Sequence, residues 1–438
     1  MTFIDQHILQ LLLVMPLLGA IFVLITPQFD TPALRQISLT TLLCTFLLLF
    51  RAALLIGPYA QSFSFSWSIS LFFPFGGATK WNLGGGRLML AIPIWFAAFG
   101  IFSLHFRRIE KVSPDFSVAI LLLCTLGYVA ISIDGYVLKL IFCSLSLWPL
   151  FYLTAQYGIE EKGSAIMTIA TSFLLVDMLA LFAALVGPSK VIDPLVRNTL
   201  FFLLMLPILV RLYVLAVTPW FRKILTSASL EVLAMWVSLL PSLAISLLLQ
   251  LSKEFSPLPS DFLMGIFVLC GVSIIIGACL ANATLDRKQF CFSFMPLYSS
   301  VAIGFFLMHP EDASLSTVVF TTIATLSITL ALFFTGITDK IRSGMPICIL
   351  ILLGMPGIGI GTVIWSMLAD LVQDGQWIGC SIWLVALLFY MLAAIKHLDL
   401  PRVSEPAGRL HQFRFFSAFA FVAVLSWVLP IWQHQMGR

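Results

Sequence analysis

About fourteen stretches of roughly 18 to 25 apolar residues fill this chain almost end to end, each long enough to cross a ~30 Å hydrocarbon layer as a helix. In lipid, every backbone amide and carbonyl must be satisfied within the chain, which leaves helices or a closed barrel. The runs of Leu, Ile, Phe and Ala do not alternate with polar residues, so they select helices. With 60% hydrophobic and 10% charged residues in 438, too little polar surface remains to keep a soluble globule dispersed. The expected fold is all-α: a polytopic transmembrane helical bundle of about 14 helices forming one transmembrane domain over residues 1–438.

The expected spans in the first half are 8–26, 36–57, 87–105, 115–133, 135–157, 164–187 and 197–217. In the second half they are 226–250, 261–282, 291–308, 316–336, 345–371, 378–395 and 413–434. Their connections are too short to house a soluble catalytic module. The first stretch lacks a basic flank and a small-residue cleavage site, so it reads as a retained helix. Residues 58–86 read as an external loop, whose Ser-Phe-Ser-Phe-Ser-Trp alternation suits a hairpin, and 396–412 as a cytoplasmic loop.

Basic residues set the orientation, since cytoplasmic loops keep Lys and Arg. Arg35, the Arg107, Arg108 and Lys111 group, Lys162, Arg222 with Lys223, Arg287 with Lys288, Lys340 with Arg342, and Lys396, Arg402, Arg409 and Arg414 all fall in odd-numbered loops. Lys80, Lys190 and Lys253 are scattered on the other side. Both termini then face outward, and the setting expected is a bacterial cytoplasmic (inner) membrane. The net charge of +4 reports this topology and excludes nucleic acid as the reason for it.

The eight cysteines, Cys44, Cys124, Cys143, Cys270, Cys279, Cys291, Cys348 and Cys380, lie in or beside apolar segments, without a CxxC pair or a histidine at metal-ligand spacing. They read as packing residues, and no metal or cofactor is expected. The six histidines sit at segment ends or in loops, which argues against a histidine relay at depth. Gly84, Gly85 and Gly86 lack the Lys and Ser or Thr of a phosphate loop. The Glu160-Glu161-Lys162 loop is a faint candidate for surface catalysis, and a short charged loop of that kind is ordinarily just solvated.

Ionisable residues inside the apolar runs are the informative ones, each costing at least ~2.5 kcal/mol at a helix centre on insertion scales. Asp177, Arg211 and Glu231 qualify, and they are expected to form a buried polar cluster joining the sixth, seventh and eighth segments. Such a cluster serves either as a charge-paired staple or as a polar path in which Arg211 sets the field. Asp134, Lys139 and Asp370 lie close enough to segment ends to snorkel. Proline and glycine mark two expected helix breaks: Pro207 and Pro219 around the seventh segment, and Pro356 with Gly357 in the twelfth, within Gly354–Gly361. Two breaks about five segments apart suit the internally repeated architecture of transporters.

At these residues the chain resembles the antiporter-like membrane subunits of respiratory complex I and of multisubunit cation/proton antiporters, nearest in pattern to subunit M of the bacterial NADH:quinone oxidoreductase. Met15-Pro16-Leu17-Leu18-Gly19-Ala20 looks like that family's first helix, Leu147-Trp148-Pro149-Leu150-Phe151-Tyr152-Leu153 like its fifth, and Gly354-Met355-Pro356-Gly357 like the break in its twelfth. Asp286-Arg287-Lys288 resembles the Asp-x-Lys before its tenth helix, and Thr226-Ser227-Ala228-Ser229 the start of its eighth. Thr218-Pro219-Trp220 falls where the family has His-Thr-Trp.

In that family a fifth-helix glutamate faces a seventh-helix lysine, and protons pass along further lysine, histidine and glutamate positions. On this alignment the glutamate position is Ser144, the lysine position Arg211 and the eighth-helix lysine position Ser238. The tenth-helix histidine falls near Tyr298 and the twelfth-helix ionisable residue at Ile364. A fixed guanidinium, serine and isoleucine do not relay protons, so Ser144 and Ser238 are expected as water-holding positions in a subunit that conducts poorly or not at all along the usual route.

The resemblance implies an antiporter-like subunit of a multisubunit complex, a proton-translocating NADH:quinone oxidoreductase or a relative, with other membrane and peripheral subunits and the lipid bilayer as partners. Two alternatives stand beside it. One is the membrane subunit of an inorganic-carbon (CO2/bicarbonate) uptake complex, and the other a self-contained ion or anion transporter with Arg211 contacting the anion.

Overall fold

In the computed structural model, the structure describes residues 7–27, 31–59, 63–67, 79–105, 113–158, 162–187, 193–214, 219–254, 260–284, 286–308, 313–337 and 377–398, with isolated positions between 338 and 376. These form α1 (Ile8–Ile25), α2 (Thr31–Tyr59), a hairpin of β1 (Phe63–Trp67) and β2 (Thr79–Leu83), and α3 (Gly85–Gly100), which runs into a wider turn at Ile101–His105. Then come α4 (Pro114–Ser132), α5 (Tyr136–Tyr157), α6 (Lys162–Val186), α7 (Pro194–Arg211), the short α8 (Pro219–Ser227) and α9 (Leu230–Glu254). The rest are α10 (Ser260–Ala283), short α11 (Arg287–Phe292), α12 (Phe294–Met308), α13 (Ala313–Ile337) and α14 (Trp377–Leu398). Among the described residues, 10 helices are long and apolar enough to cross a membrane.

Apart from the hairpin, the described residues are helical, as the unalternating apolar runs require. The expected spans match the helices closely through α6, while the seventh ends at Arg211 instead of 217 and the eighth begins at Leu230 instead of 226. The fourteenth expected span and, apart from isolated positions such as 352 and 364, the twelfth with its break at Pro356 and Gly357 lie outside the described residues, as do Asp370 and most of 396–412.

Burial sorts the helices into centre and rim. The apolar window of α9 is 94% buried and that of α13 is 100% buried, against 28% for α6. The rim helices carry their large apolar side chains outward, among them Phe22, Phe50, Met178 and Phe182. That is the pattern of a bundle solvated by lipid. Gly100 lets α3 pass directly against Phe333 of α13, because a Cβ there would overlap the phenyl ring.

Helix starts are set locally. Asp193 accepts from the amide of Leu195 at 2.9 Å, with Pro194 in the first helical position of α7, and Asp286 likewise accepts from Lys288 at 2.9 Å at the start of α11. The hairpin is antiparallel, with Phe65 opposite Trp81, and it closes over the turn between α4 and α5. Trp81 bridges to Ile133, and the amide of Asp134 donates to the Lys80 carbonyl at 2.9 Å. Gly135, at φ 93°, makes the sharp turn into α5 that a side chain would strain.

Candidate functional site

The site is organised by the way α7 stops. Pro207 removes a hydrogen bond from its last turns, and the helix then closes with a C-terminal cap. The amide of Val214 donates to the Leu209 carbonyl and that of Tyr213 to the Val210 carbonyl, both at 3.1 Å. This is the paired bond pattern of a Schellman cap, which demands a left-handed residue at Tyr213. Tyr213 supplies it at φ 58°, where an L side chain costs roughly 1–2 kcal/mol. Its surroundings hold it there: the hydroxyl donates to the Trp236 carbonyl at 2.9 Å, and the ring packs edge-on against Phe292 at 5.2 Å.

The cap leaves Arg211 as the last helical residue of α7, where the partial negative charge of the helix end favours a cation. Its side chain has no exposed surface. Nη1 and Nη2 each donate to one oxygen of Asp177 on α6 at 2.7 Å, the two-pronged arrangement that a guanidinium and a carboxylate favour. Nη1 also reaches the Pro207 carbonyl at 3.3 Å, and the guanidinium lies 5.6 Å from the centre of the Phe173 ring. Nε has no hydrogen-bond partner among the described residues. Ser144 of α5 donates to the second Asp177 oxygen at 2.5 Å. Three neighbouring helices therefore meet at one buried ion pair.

Ser144 thus stands beside a carboxylate instead of supplying one. Where the family resemblance puts a fifth-helix glutamate, the acid comes from α6, and the hydroxyl at the old position only steadies it. Ser144 also donates to the Leu140 carbonyl, and Ser238 to the Met235 carbonyl. Both hydroxyls have partners among the protein's own atoms.

Glu231 does not join this pair. Because α9 begins at Leu230, Glu231 falls in its first turn, where a carboxylate suits the positive helix end. Its charge acts on Lys288, whose Nζ donates to the Ala228 carbonyl at 3.1 Å. Burial pushes the Lys288 ammonium below its ordinary range, and Asp286 and Glu231 pull the other way. Pro219 opens α8, beyond the capped end of α7. Tyr298 donates to the Leu352 carbonyl, and Ile364 is buried.

A second polar region was not foreseen as a site. Lys139 does not snorkel: it is fully buried, and its Nζ donates to the carbonyls of Ala130 and Ile131 and to the Ser246 hydroxyl at 3.1, 2.9 and 2.7 Å. The hairpin folded over the α4–α5 turn closes the route to water. Ser246 belongs to a row of five polar residues spaced by four on α9, Ser238, Ser242, Ser246, Gln250 and Glu254, which spans ~24 Å of helix. At its C-terminal end Gln250 donates to Glu254 at 2.6 Å and accepts from Arg87, which pairs with Asp134. The sequence signal that could have found it is this period of four polar residues within an otherwise strongly apolar segment.

No protein-family model matches the chain, and no curated protein sequence does either. Solved structures do match. A chain of respiratory complex I from Thermus thermophilus aligns with a TM-score of 0.77 at 14% identity, over 98% of this chain and 100% of that one. A chain of the membrane-bound sulfane sulfur reductase, an archaeal respiratory membrane complex, aligns with a TM-score of 0.82 at 12% identity, over 98% and 96%. A chain of the Mrp complex from Dietzia sp. DQ12-45-1b gives 0.76 at 13%, over 93% and 82%. This chain shares its fold with membrane chains of these complexes. At such low identity the likeness is one of fold, and the activity of each neighbour remains its own.

Proposed function

We propose that this chain is an antiporter-like integral membrane subunit of a multisubunit complex, related to proton-translocating NADH:quinone oxidoreductases, and that it does not conduct protons along the family's usual route. The observation that carries the reading is the Asp177–Arg211 pair. A guanidinium stays charged at any working pH, and the carboxylate accepts two bonds from it and one from Ser144. Passing a proton through Asp177 would displace the donors held on both of its oxygens, beside a guanidinium with no exposed surface. The pair therefore works as a fixed joint between α5, α6 and α7. In this reading the chain lies in a bacterial inner membrane with both termini outside, as the basic loops favour.

The test has two arms. Tagged protein extracted from its native membrane in mild detergent is expected to bring stoichiometric membrane and peripheral subunits, identified by mass spectrometry. The purified chain in liposomes is expected to pass protons no faster than empty vesicles. Fast flux that is lost on Arg211→Ala overturns the non-conducting reading, and emergence of the chain alone overturns the subunit reading. A large soluble zinc-binding partner would reassign the complex to inorganic-carbon uptake.

A further inference from the structure

Buried hydroxyls almost always have a hydrogen-bond partner, and one without marks a place where a ligand is needed. Helix α13 carries Thr317, Thr321, Thr325 and Thr329 in a four-residue row, all buried. Thr325 donates to the backbone of its own helix at Thr321 and Thr322. The hydroxyls of Thr317, Thr321 and Thr329 have no partner among the described residues.

One of these three borders a cavity. Thr321, with Thr325, forms a wall of a space of about 10 Å³ whose other walls include Leu212 at the capped end of α7, Pro241 of α9, and Tyr298 and Ser299 of α12. That volume suits roughly one water molecule. Pro241 contributes chemistry as well as shape. It lies within α9 and has no N–H to return to the Val237 carbonyl one turn earlier, and a helical carbonyl points along the axis toward the proline that fails to bond it. On the α13 side of the space, the Thr321 hydroxyl wants a partner.

We propose that this cavity is a binding site for one ordered water held by the Thr321 hydroxyl of α13, against Pro241 of α9 and beside the capped end of α7. Among the described residues no charged side chain lines the space, and a dehydrated metal cation would need more oxygens than a volume of this size admits. Water fits the neutral lining and supplies both a donor and acceptors. The site puts hydration at the break without an ionisable group. It is independent of the subunit reading, because neither partners nor flux enter its argument.

The direct test is an electron cryo-microscopy map of the full chain, in whatever assembly it is purified, at a resolution that shows ordered water. A peak within about 3 Å of the Thr321 Oγ1 is expected. An empty cavity in a map that resolves other internal waters overturns the proposal. A second measurement needs no map: Thr321→Val keeps the shape and removes the hydroxyl. It is expected to lower the thermal midpoint in detergent by about 1 to 2 °C, with Thr325→Val lowering it less. An unchanged or raised midpoint for Thr321→Val would mean a dry hydroxyl, better removed than kept, and would also overturn the proposal.

Discussion

Arg211 and Lys139 are both basic side chains without exposed surface, and they are held in opposite ways. Arg211 faces a carboxylate on a neighbouring helix and matches it oxygen for oxygen. Lys139 faces two carbonyls at the end of α4 and one serine hydroxyl, all neutral. The carbonyls nevertheless carry the partial negative charge of a helix C-terminus, which suits an ammonium. The difference teaches that one bundle can bury a charge through a counter-charge or through oriented dipoles. The two solutions fail differently when one side is removed.

The largest effect expected follows from that asymmetry. Arg211→Met leaves Asp177 as an unpaired buried carboxylate, and breaking a buried pair this way costs about 3 to 5 kcal/mol. The folded yield and the thermal midpoint in detergent should both collapse. Adding Asp177→Leu should recover most of the loss, since the orphaned charge is then gone. If the double variant is as unstable as the single one, the pair contributes by something other than charge, and the comparison breaks.

Lys139→Met should do less harm, because what it strands is neutral. Two carbonyls and a hydroxyl lose a donor, for which about 1 to 3 kcal/mol is expected. The thermal midpoint measured beside Arg211→Met checks the ranking. A Lys139→Met loss equal to that of Arg211→Met would mean that a carboxylate, Asp134 or Glu254, depends on this ammonium after all.

A smaller effect tests the cap that places Arg211. Tyr213→Phe keeps the ring in the left-handed position and removes the bond to the Trp236 carbonyl, at an expected cost of about 0.5 to 1.5 kcal/mol. The same thermal assay reads it. No loss at all would show that the ring packing against Trp220, Phe221 and Phe292 holds the strained backbone unaided.

These two regions also differ in how far the sequence revealed them. Asp177 and Arg211 were visible because a charge in the middle of an apolar run has few explanations, and Pro207 announced a disturbed helix end. Their pairing across α6 and α7 was not readable, because rotation of one helix against another depends on side-chain packing along both. Glu231 was misassigned for a local reason: α9 starts at Leu230, four residues later than the apolar pattern suggests, so a residue expected at depth became a first-turn residue. Lys139 was misread in the opposite sense. Its distance from the segment end permits snorkelling, but the hairpin at 63–83 folds over that end, and sequence spacing carries no information about such a cover.

Lys288 stands between the two extremes and sharpens them with the smallest effect. It is half-buried, donates to one carbonyl, and has Asp286 on its own helix and Glu231 on α9 as nearby charges. Burial outweighs those carboxylates and moves its folded pKa below the ordinary 10.5. Between the lowered folded value and the unfolded one, the unfolded chain binds more protons, so stability rises with pH across that interval and levels off near the ordinary value. Below the interval the cost of charging Lys288 is present in full. Lys288→Met should remove this rise, and the thermal midpoints of the two proteins, compared from about pH 8 to pH 10, should converge or diverge by a small, steady drift in favour of the lysine. A drift the other way would place Lys288 with Arg211, as a cation that its carboxylates hold more firmly than burial disturbs it.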